Sequence, residues 1–267
     1  MSLGHETVYP RTYAPQALYP ISRAESRAAL CLAGDVPFHG VDIWNAWELT
    51  WLGKGGLPQV ATADIVVPAD SSNIIESKSL KLYLNSFAMS EFESAAALQA
   101  VIEKDLSKCA DCHVAVRVTP ISASEARPVS RLAGTLLDSL DVSCSEWEVN
   151  ADLLSADANV IVSEDVHTHL LRSLCPVTSQ PDTGSLQISY RGPQIDHAGL
   201  LRYVVSFREH QDFHESCVER IFTDLMAKCE PQELSVHARY QRRGGIDINP
   251  YRSTSNKLPR NLRLWRQ

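Results

Sequence analysis

DVHTHLLRSLCPVTSQPDTGSLQISYRG, residues 165–192, is the stretch from which the fold class follows. DVHTHLLRSLCP reads as a strand that stops at a proline, and GSLQISYRG alternates Leu186, Ile188 and Tyr190 as a second strand does. Asp196 is placed to cap a helix carrying Leu200, Leu201, Val204 and Val205. Asp212 is placed to cap the next, with Phe213, Cys217, Ile221, Phe222 and Leu225 as its buried face. LSVHARY alternates Leu234, Val236, Ala238 and Tyr240, and the Gly244–Gly245 turn leads into IDINPYR. Strand, strand, helix, helix, strand, strand, joined by short turns, predicts an α+β unit with an antiparallel sheet.

The first half reads as a degraded version of that order. Pro10, Pro15 and Pro20 break any long helix in residues 1–36, which are expected to lie as an extended arm over a surface. GVDIWNAWELTWL and VATADIVV flank the turn KGGLPQ as two strands. IIESKSLKLYLNSF alternates Leu80, Leu82 and Leu84 with Lys81, Tyr83 and Asn85, which predicts a third. Ser90 and Glu93 form a capping-box pattern, so Ser90 to Leu106 is expected to be a helix with Phe92, Ala95, Leu98, Ile102 and Leu106 along one face. HVAVRVTP is a strand, and residues 121–140 a polar connection. The expected organisation is an arm at 1–36, one unit at 37–135 and a second at 136–267.

Composition narrows the class of protein. The chain has 267 residues, of which 44% are hydrophobic and 21% charged, so it can bury a real core. No apolar run approaches the ~18–20 residues a membrane helix needs, and MSLGHETVYPRTYAPQ has neither the apolar core of a secretory signal nor the basic character of a transit peptide. A net charge of -7 gives no general attraction to nucleic acid or to an anionic membrane. Seven cysteines, an odd number, point to free thiols in a reducing compartment, the cytoplasm.

The thiols differ in setting. Cys109 and Cys112 make one CxxC, with His113 adjacent, but no second pair completes a four-ligand zinc site. Cys217 and Cys229 fall on or near an apolar helix face and read as small buried hydrophobes, while Cys31 and Cys144 have no partner pattern. Cys175 stands where a strand enters a proline-punctuated turn, with Asp182 further along it. Two readings fit: a buried thiol beside an ordinary turn aspartate, or a nucleophile beside an acid able to protonate a nitrogen. Glu215 is likewise either the third helical residue of a capping box begun by Asp212, or, with His214, a polar pair that meets a heterocycle. Glu76, Lys78 and Lys81 on a strand would be a polar face, and Arg242, Arg243 and Gly244 a basic turn able to hold a phosphate. GxGxxG and P-loop patterns are absent.

Taken together these segments are more specific. FHGVDIWNAWELTWL, GLPQVA, IESKSLKLYLNSF, LLRSLCPVTSQPDTGSLQISYRG, LLRYVVSFREHQDFHESCVERIF and ARYQRRGGIDINPYRS, in this order and spacing, resemble the long, two-module form of NADPH-dependent 7-cyano-7-deazaguanine reductase, the nitrile reductase of queuosine biosynthesis. ESKSLKLY matches that family's signature and CPVTSQPD its nucleophile loop; the extreme N-terminus and residues 121–158 carry least of the likeness. The resemblance implies two tandem tunnelling-fold (T-fold) domains related to GTP cyclohydrolase I, each an antiparallel sheet with two helices. It further implies a homodimer, with sites where units meet.

It also implies roles. Cys175 is matched to the nucleophile that forms a covalent thioimidate with the nitrile, and Asp182 to the proton donor. Ile75, Glu76, Ser77, His214 and Glu215 are matched to the substrate site, and Ser77, Lys78, Arg243 and Gly244 to NADPH. Zinc-dependent relatives hold their metal with a Cys and His arrangement that is not recognisable in this sequence, so no metal is expected. The expected partner is a small molecule, with no direct nucleic-acid or membrane contact. The alternative is a non-catalytic or hydrolytic protein of this fold that binds a purine or pterin, for which Cys175, His214 and Asp182 contain the side chains of a thiol hydrolase.

Overall fold

A computed structural model describes residues 9–32, 34, 36–123 and 127–267. The chain runs β1 (Pro20–Ser22), α1 (Arg23–Ala29), β2 (His39–Leu52), β3 (Pro58–Pro68), β4 (Asn73–Ile75), α2 (Ser77–Asn85), α3 (Ala95–Ala110), β5 (Ala115–Pro120), β6 (Val129–Ser130), β7 (Thr135–Leu136), β8 (Ala156–Leu174), β9 (Pro181–Ile195), α4 (His197–Ser206), α5 (His214–Cys229), β10 (Glu233–Tyr240), β11 (Ile246–Ser253) and β12 (Arg263–Leu264). It is a mixed α+β protein with largely antiparallel sheets. Two units divide it. The first holds the described residues of Met1–Glu25, Trp44–Ala126 and Arg243–Ile246; the second holds those of Ser26–Ile43, Arg127–Arg242 and Asp247–Gln267.

In the second unit β11, β10, β9 and β8 lie side by side and antiparallel, with the short β7 added in parallel at the β8 edge. The residues that alternate in the sequence do face a core: Leu186, Ile188, Leu234, Val236 and Ala238 are buried with Leu200, Val204, Ile221, Phe222 and Leu225 of the helices. Burying a large aliphatic or aromatic side chain stabilises by roughly 1.5–3 kcal/mol, so this face holds α4 and α5 on the sheet. Asp196 caps α4 as expected, accepting from Ala198 N at 3.2 Å and Gly199 N at 2.9 Å.

The first unit corrects three expectations. Its sheet runs β5, β3, β2, and β3 pairs antiparallel with β5. The stretch expected as a third strand is mostly helix: only Asn73–Ile75 is extended, and Ser77–Asn85 forms α2. Leu80, Tyr83, Leu84 and Phe87 are buried there, at helical spacing, whereas Leu82 is half-buried, so the alternation of Leu with Lys was not the pattern that packs. The following helix starts at Ala95 rather than Ser90, capped by Ser94, whose hydroxyl accepts from Ala97 N at 3.1 Å. Finally, the arm is not simply laid over a surface. Pro15–Ala17 forms a single 3-10 turn, β1 pairs antiparallel with β4, and Tyr13 stacks on Phe87 at 5.4 Å. Residues 1–8 of that arm lie outside the described residues.

With α2 recognised, the units repeat one another in detail. ESKSLKLYLNSF (76–87) and DHAGLLRYVVSF (196–207) share an acidic cap and then Leu, Tyr, Ser and Phe at the same spacing. Tyr83 Oη donates to Asp105 at 2.7 Å, and Tyr203 Oη to Asp224 at 2.6 Å. Ser86 Oγ donates to Tyr83 O and accepts from Ala14 N; Ser206 Oγ donates to Tyr203 O and accepts from Asn150 N. Residues 14–19, before β1, therefore do in the first unit what residues 150–155 do in the second.

Candidate active site

The thiol is carried by the β8–β9 hairpin. Its register pairs Leu174 with Pro181 and Ser173 with Asp182, so Cys175 opens the connecting loop and Asp182 stands one step into the return strand. Two backbone bonds close the loop, Cys175 N to Gln180 O and Ser179 N to Cys175 O, both at 2.9 Å. Ser179 takes a φ of +54°, unusual for a residue with a side chain, and its hydroxyl accepts from Gln211 Nε2 at 2.7 Å. Cys175 and Asp182 are 8% and 3% exposed.

A second segment is tied to the end of β8. Leu174 N donates to His210 O at 2.8 Å and Asp212 N to Leu174 O at 3.1 Å. These bonds hold residues 210–212 extended and fix where α5 begins. The expected capping box is therefore not formed: Phe213 is the cap residue and supplies no side-chain cap bond, while Asp212 Oδ1 accepts from Phe213 N at 2.8 Å. Glu215 falls in the second helical position and is 2% exposed. His214, the first residue of α5, places Nε2 3.7 Å from Asp182 Oδ2. That is longer than a hydrogen bond and within ion-pair distance for a protonated imidazole.

The floor under this group is polar. Tyr240 meets His214 edge-on, with ring centroids 4.0 Å apart. Burial pushes the Tyr240 phenol well above its ordinary range, and it pushes up the Cys217 thiol that neighbours Tyr240 and Ser173. Burial alone raises Cys109 and Cys229 to about 11. These three cysteines are thus neutral near pH 7 and poor nucleophiles, which for Cys217 and Cys229 agrees with the expected role as packed apolar groups. Tyr240 was legible from the sequence as a core residue, and nothing in it marked contact with His214.

In the first unit the signature residues form the start of α2. Ile75 ends β4 and is buried. Glu76 is the cap, its carboxylate accepting from Lys78 N at 2.9 Å and Ser79 N at 2.6 Å. An ionised carboxylate offers about four lone-pair directions, so two remain for another donor. Ser77 is half-buried and Lys78 exposed. The turn Arg243–Ile246 is closed by Arg243 N donating to Ile246 O at 2.8 Å. Gly244, at φ +64°, rests on the Lys81 stem: a Cβ there would lie 3.1 Å from Lys81 Cδ. Lys81 follows Lys78 by one helical turn, so the basic turn and the signature helix share one cationic surface. That cationic surface fits a phosphate-bearing cofactor.

Two depressions lie elsewhere in the second unit, about 540 Å³ beside Asp157, Gln194 and His197 and about 360 Å³ along Ser163, Ser189, Ser235 and Ser253. Neither is lined by Cys175, Asp182, His214 or Glu215. Among the described residues, no three His, Cys, Asp or Glu side chains are grouped to hold a metal ion.

Comparison with known proteins bears on both constellations. The family model described as "Nitrile reductase, 7-cyano-7-deazaguanine-reductase N-term" matches residues 9–118. A second, described as "QueF-like protein", matches residues 181–258. Among solved structures, "Crystal structure of the archaeosine synthase QueF-Like in the apo form" is 19% identical, with a TM-score of 0.32, over 37% of this chain and 96% of that one.

Proposed function

The chain belongs to the 7-cyano-7-deazaguanine nitrile reductase family, and from that premise we propose that it reduces the nitrile of 7-cyano-7-deazaguanine (preQ0) to the aminomethyl group of 7-aminomethyl-7-deazaguanine (preQ1), with NADPH as reductant, in queuosine tRNA modification. The observation that carries the reading is the hairpin that sets a nearly buried thiol and a buried carboxyl on one turn, with His214 3.7 Å from that carboxyl.

Cys175 adds through sulfur to the nitrile carbon, forming a C–S bond as one C≡N π pair moves to nitrogen. Asp182 supplies the proton that nitrogen takes up, and His214 stands where it can return a proton to Asp182. The product of this step is a thioimidate, whose C=N bond is a far better hydride acceptor than a nitrile. NADPH, when bound, supplies one hydride to that carbon and a second molecule supplies another, so four electrons reach the substrate. Between the two reductions the C–S bond breaks, Cys175 leaves as thiolate, and an imine remains. Lys78, with Arg243 and Gly244, would hold the cofactor's phosphates, with Ser77 on the same turn as Lys78. Glu76 and Glu215 accept from the N–H groups of the base, with Ile75 and Ser77 beside it.

We further read each unit as one tunnelling-fold domain, supported by the repeated caps and tyrosine–aspartate bonds, and the working form as a cytoplasmic homodimer. The test is to mix the protein with the cyano-deazapurine and NADPH while following NADPH absorbance. Intact mass without NADPH should show one adduct on Cys175. Absence of both would refute the reading in favour of a base-binding or hydrolytic protein.

A further inference from the structure

The two units share the turn that seats the cap residue, and they differ there by one side chain. Glu76 N donates to Tyr19 O at 2.9 Å, and Asp196 N donates to Ser155 O at 2.9 Å. Both carboxylates then accept from the second and third N–H groups of the helices they start. The third helical position is Ser79 in the first unit and Gly199 in the second. Gly199 has no room for a side chain, since a Cβ there would collide with Leu153 O. Ser79 is buried, and its hydroxyl joins two backbone groups: it accepts from Tyr19 N at 3.1 Å and donates to Glu76 O at 2.6 Å. Strand entry and helix start are thereby joined by a bridge that the repeated scaffold does without.

Tyr19 is itself anchored from upstream. Tyr13 Oη donates to Asp105 at 2.6 Å, Tyr13 N donates to Ser90 Oγ at 2.7 Å, and Ala14 N donates to Ser86 Oγ at 3.1 Å. The backbone nitrogen, carbonyl and carboxylate of Glu76 are all held, and the carbonyl bond depends on Ser79 for its side-chain donor. A cap alone needs only the carboxylate and the one carbonyl bond that starts the helix, from Leu80 N at 3.0 Å here and from Leu200 N at 2.9 Å in the second unit. The second donor that Ser79 places on this carbonyl, tied through the same hydroxyl to Tyr19, controls where the two remaining lone pairs of that carboxylate point. We propose that Ser79, clamped to Tyr19 of the N-terminal segment, is a positioning residue that aims the Glu76 carboxylate at the base without touching it. This rests on the reading of Glu76 as the base's acceptor.

Two variants cut the same bond from opposite sides. Ser79→Ala removes the hydroxyl. Tyr19→Pro removes the N–H donor together with a residue that is 64% exposed, in a segment where Leu18 already has the extended backbone that precedes proline (φ −67°, ψ 135°). Ser79→Thr restores the hydroxyl. The readout is calorimetric binding of the aminomethyl product, which carries the base but no nitrile, together with kcat at saturating substrate. Ser79→Ala and Tyr19→Pro should each weaken product binding about five- to tenfold, the double variant no more than either, with kcat within about twofold of the parent and Ser79→Thr near it. Parental binding in Ser79→Ala or in Tyr19→Pro, whatever the melting temperature, overturns the clamp. Glu76→Gln, measured alongside, separates the two levels. If it binds weakly while Ser79→Ala binds normally, only the clamp falls. If it binds normally too, the role given to Glu76 falls with it.

Discussion

Glu76→Leu should do two separable kinds of damage, because one carboxylate caps α2 and, in the proposed function, meets the base. The cap consists of two side-chain bonds, to Lys78 N at 2.9 Å and Ser79 N at 2.6 Å. Losing such a cap costs about 1 kcal/mol, which lowers Tm by about 2–4 °C in a domain of this size class. Losing the acceptor of buried ring N–H groups costs about 2–3 kcal/mol, or about 30- to 150-fold in affinity. Glu76→Asp separates the two. Asp196 shows that an aspartate can cap this very turn, accepting at 3.2 and 2.9 Å in the second unit. Asp at position 76 should therefore keep Tm, yet it withdraws the carboxylate by one methylene from the ligand. The measurements are thermal unfolding and calorimetric titration with the product base. Expected are parental Tm with weakened binding for Glu76→Asp, and losses in both for Glu76→Leu. A lowered Tm in Glu76→Leu with unchanged binding in both variants would refute the reasoning and leave Glu76 a cap and nothing more.

Cys175→Ala should abolish turnover and the covalent adduct while leaving calorimetric base binding largely intact; an active Cys175→Ala enzyme ends the proposed mechanism. The double variant Cys109→Ser, Cys112→Ser should turn over near normally, as checked by NADPH oxidation, because Cys109 is a buried neutral thiol whose pKa burial raises to about 11. Arg252→Met should lose about 3–5 kcal/mol in denaturant unfolding. Arg252 pairs with Asp42 at 2.7 Å and with Glu219 at 2.8 Å, all three fully or nearly buried, and a methionine would leave those carboxylates short of a cation. His237 is held neutral, its pKa pushed to about 3 by burial and then by Arg239. The unfolded chain, with the ordinary value of 6.5, binds the extra proton between those limits, so stability falls as pH drops from 6.5 toward 3. His237→Gln should flatten the fall of Tm over that window; an unchanged slope would contradict the assignment.

The misread helix starts share one cause. Ser90 with Glu93, and Asp212 with Glu215, have capping-box spacing, yet α3 and α5 begin later than those patterns say. In each unit the segment before the helix is bonded to the last residue of a distant strand. Leu52 N donates to Ser90 O and accepts at its carbonyl from Phe92 N, both at 2.9 Å; Leu174 N and O bond His210 and Asp212 in the same way. Those bonds keep 90–92 and 210–212 extended, and a local pattern cannot register a partner 38 residues away. The α2 segment failed for a related reason. Leu80, Leu82 and Leu84 satisfy a strand's period, and only the burial of Tyr83 and Phe87 selects the helix. Strands β9 and β10 were legible because their alternation holds, over five residues from Leu186 to Tyr190 and over seven from Leu234 to Tyr240, with no competing helical set.

What survives this comparison is where the two units depart from their shared scaffold. Where the last residue of β8 is followed by Cys175, the last residue of β2 is followed by Gly53, and each opens a loop closed by its own backbone N–H, to Gln180 O and to Leu57 O, both at 2.9 Å. The loop therefore does not require a thiol to hold its shape. Likewise Asp196 caps α4 adequately, while the first unit uses the longer Glu76, a less favoured cap residue than aspartate. Helix stability does not explain the added methylene, and loop closure does not explain the sulfur. A repeated scaffold shows which residues folding needs, and residues that exceed that need are the candidates for the proposed chemistry. On this criterion Cys175 and Glu76 separate from their neighbours without appeal to any other protein. The same subtraction picks out Ser79, whose counterpart Gly199 shows that the turn forms without a hydroxyl.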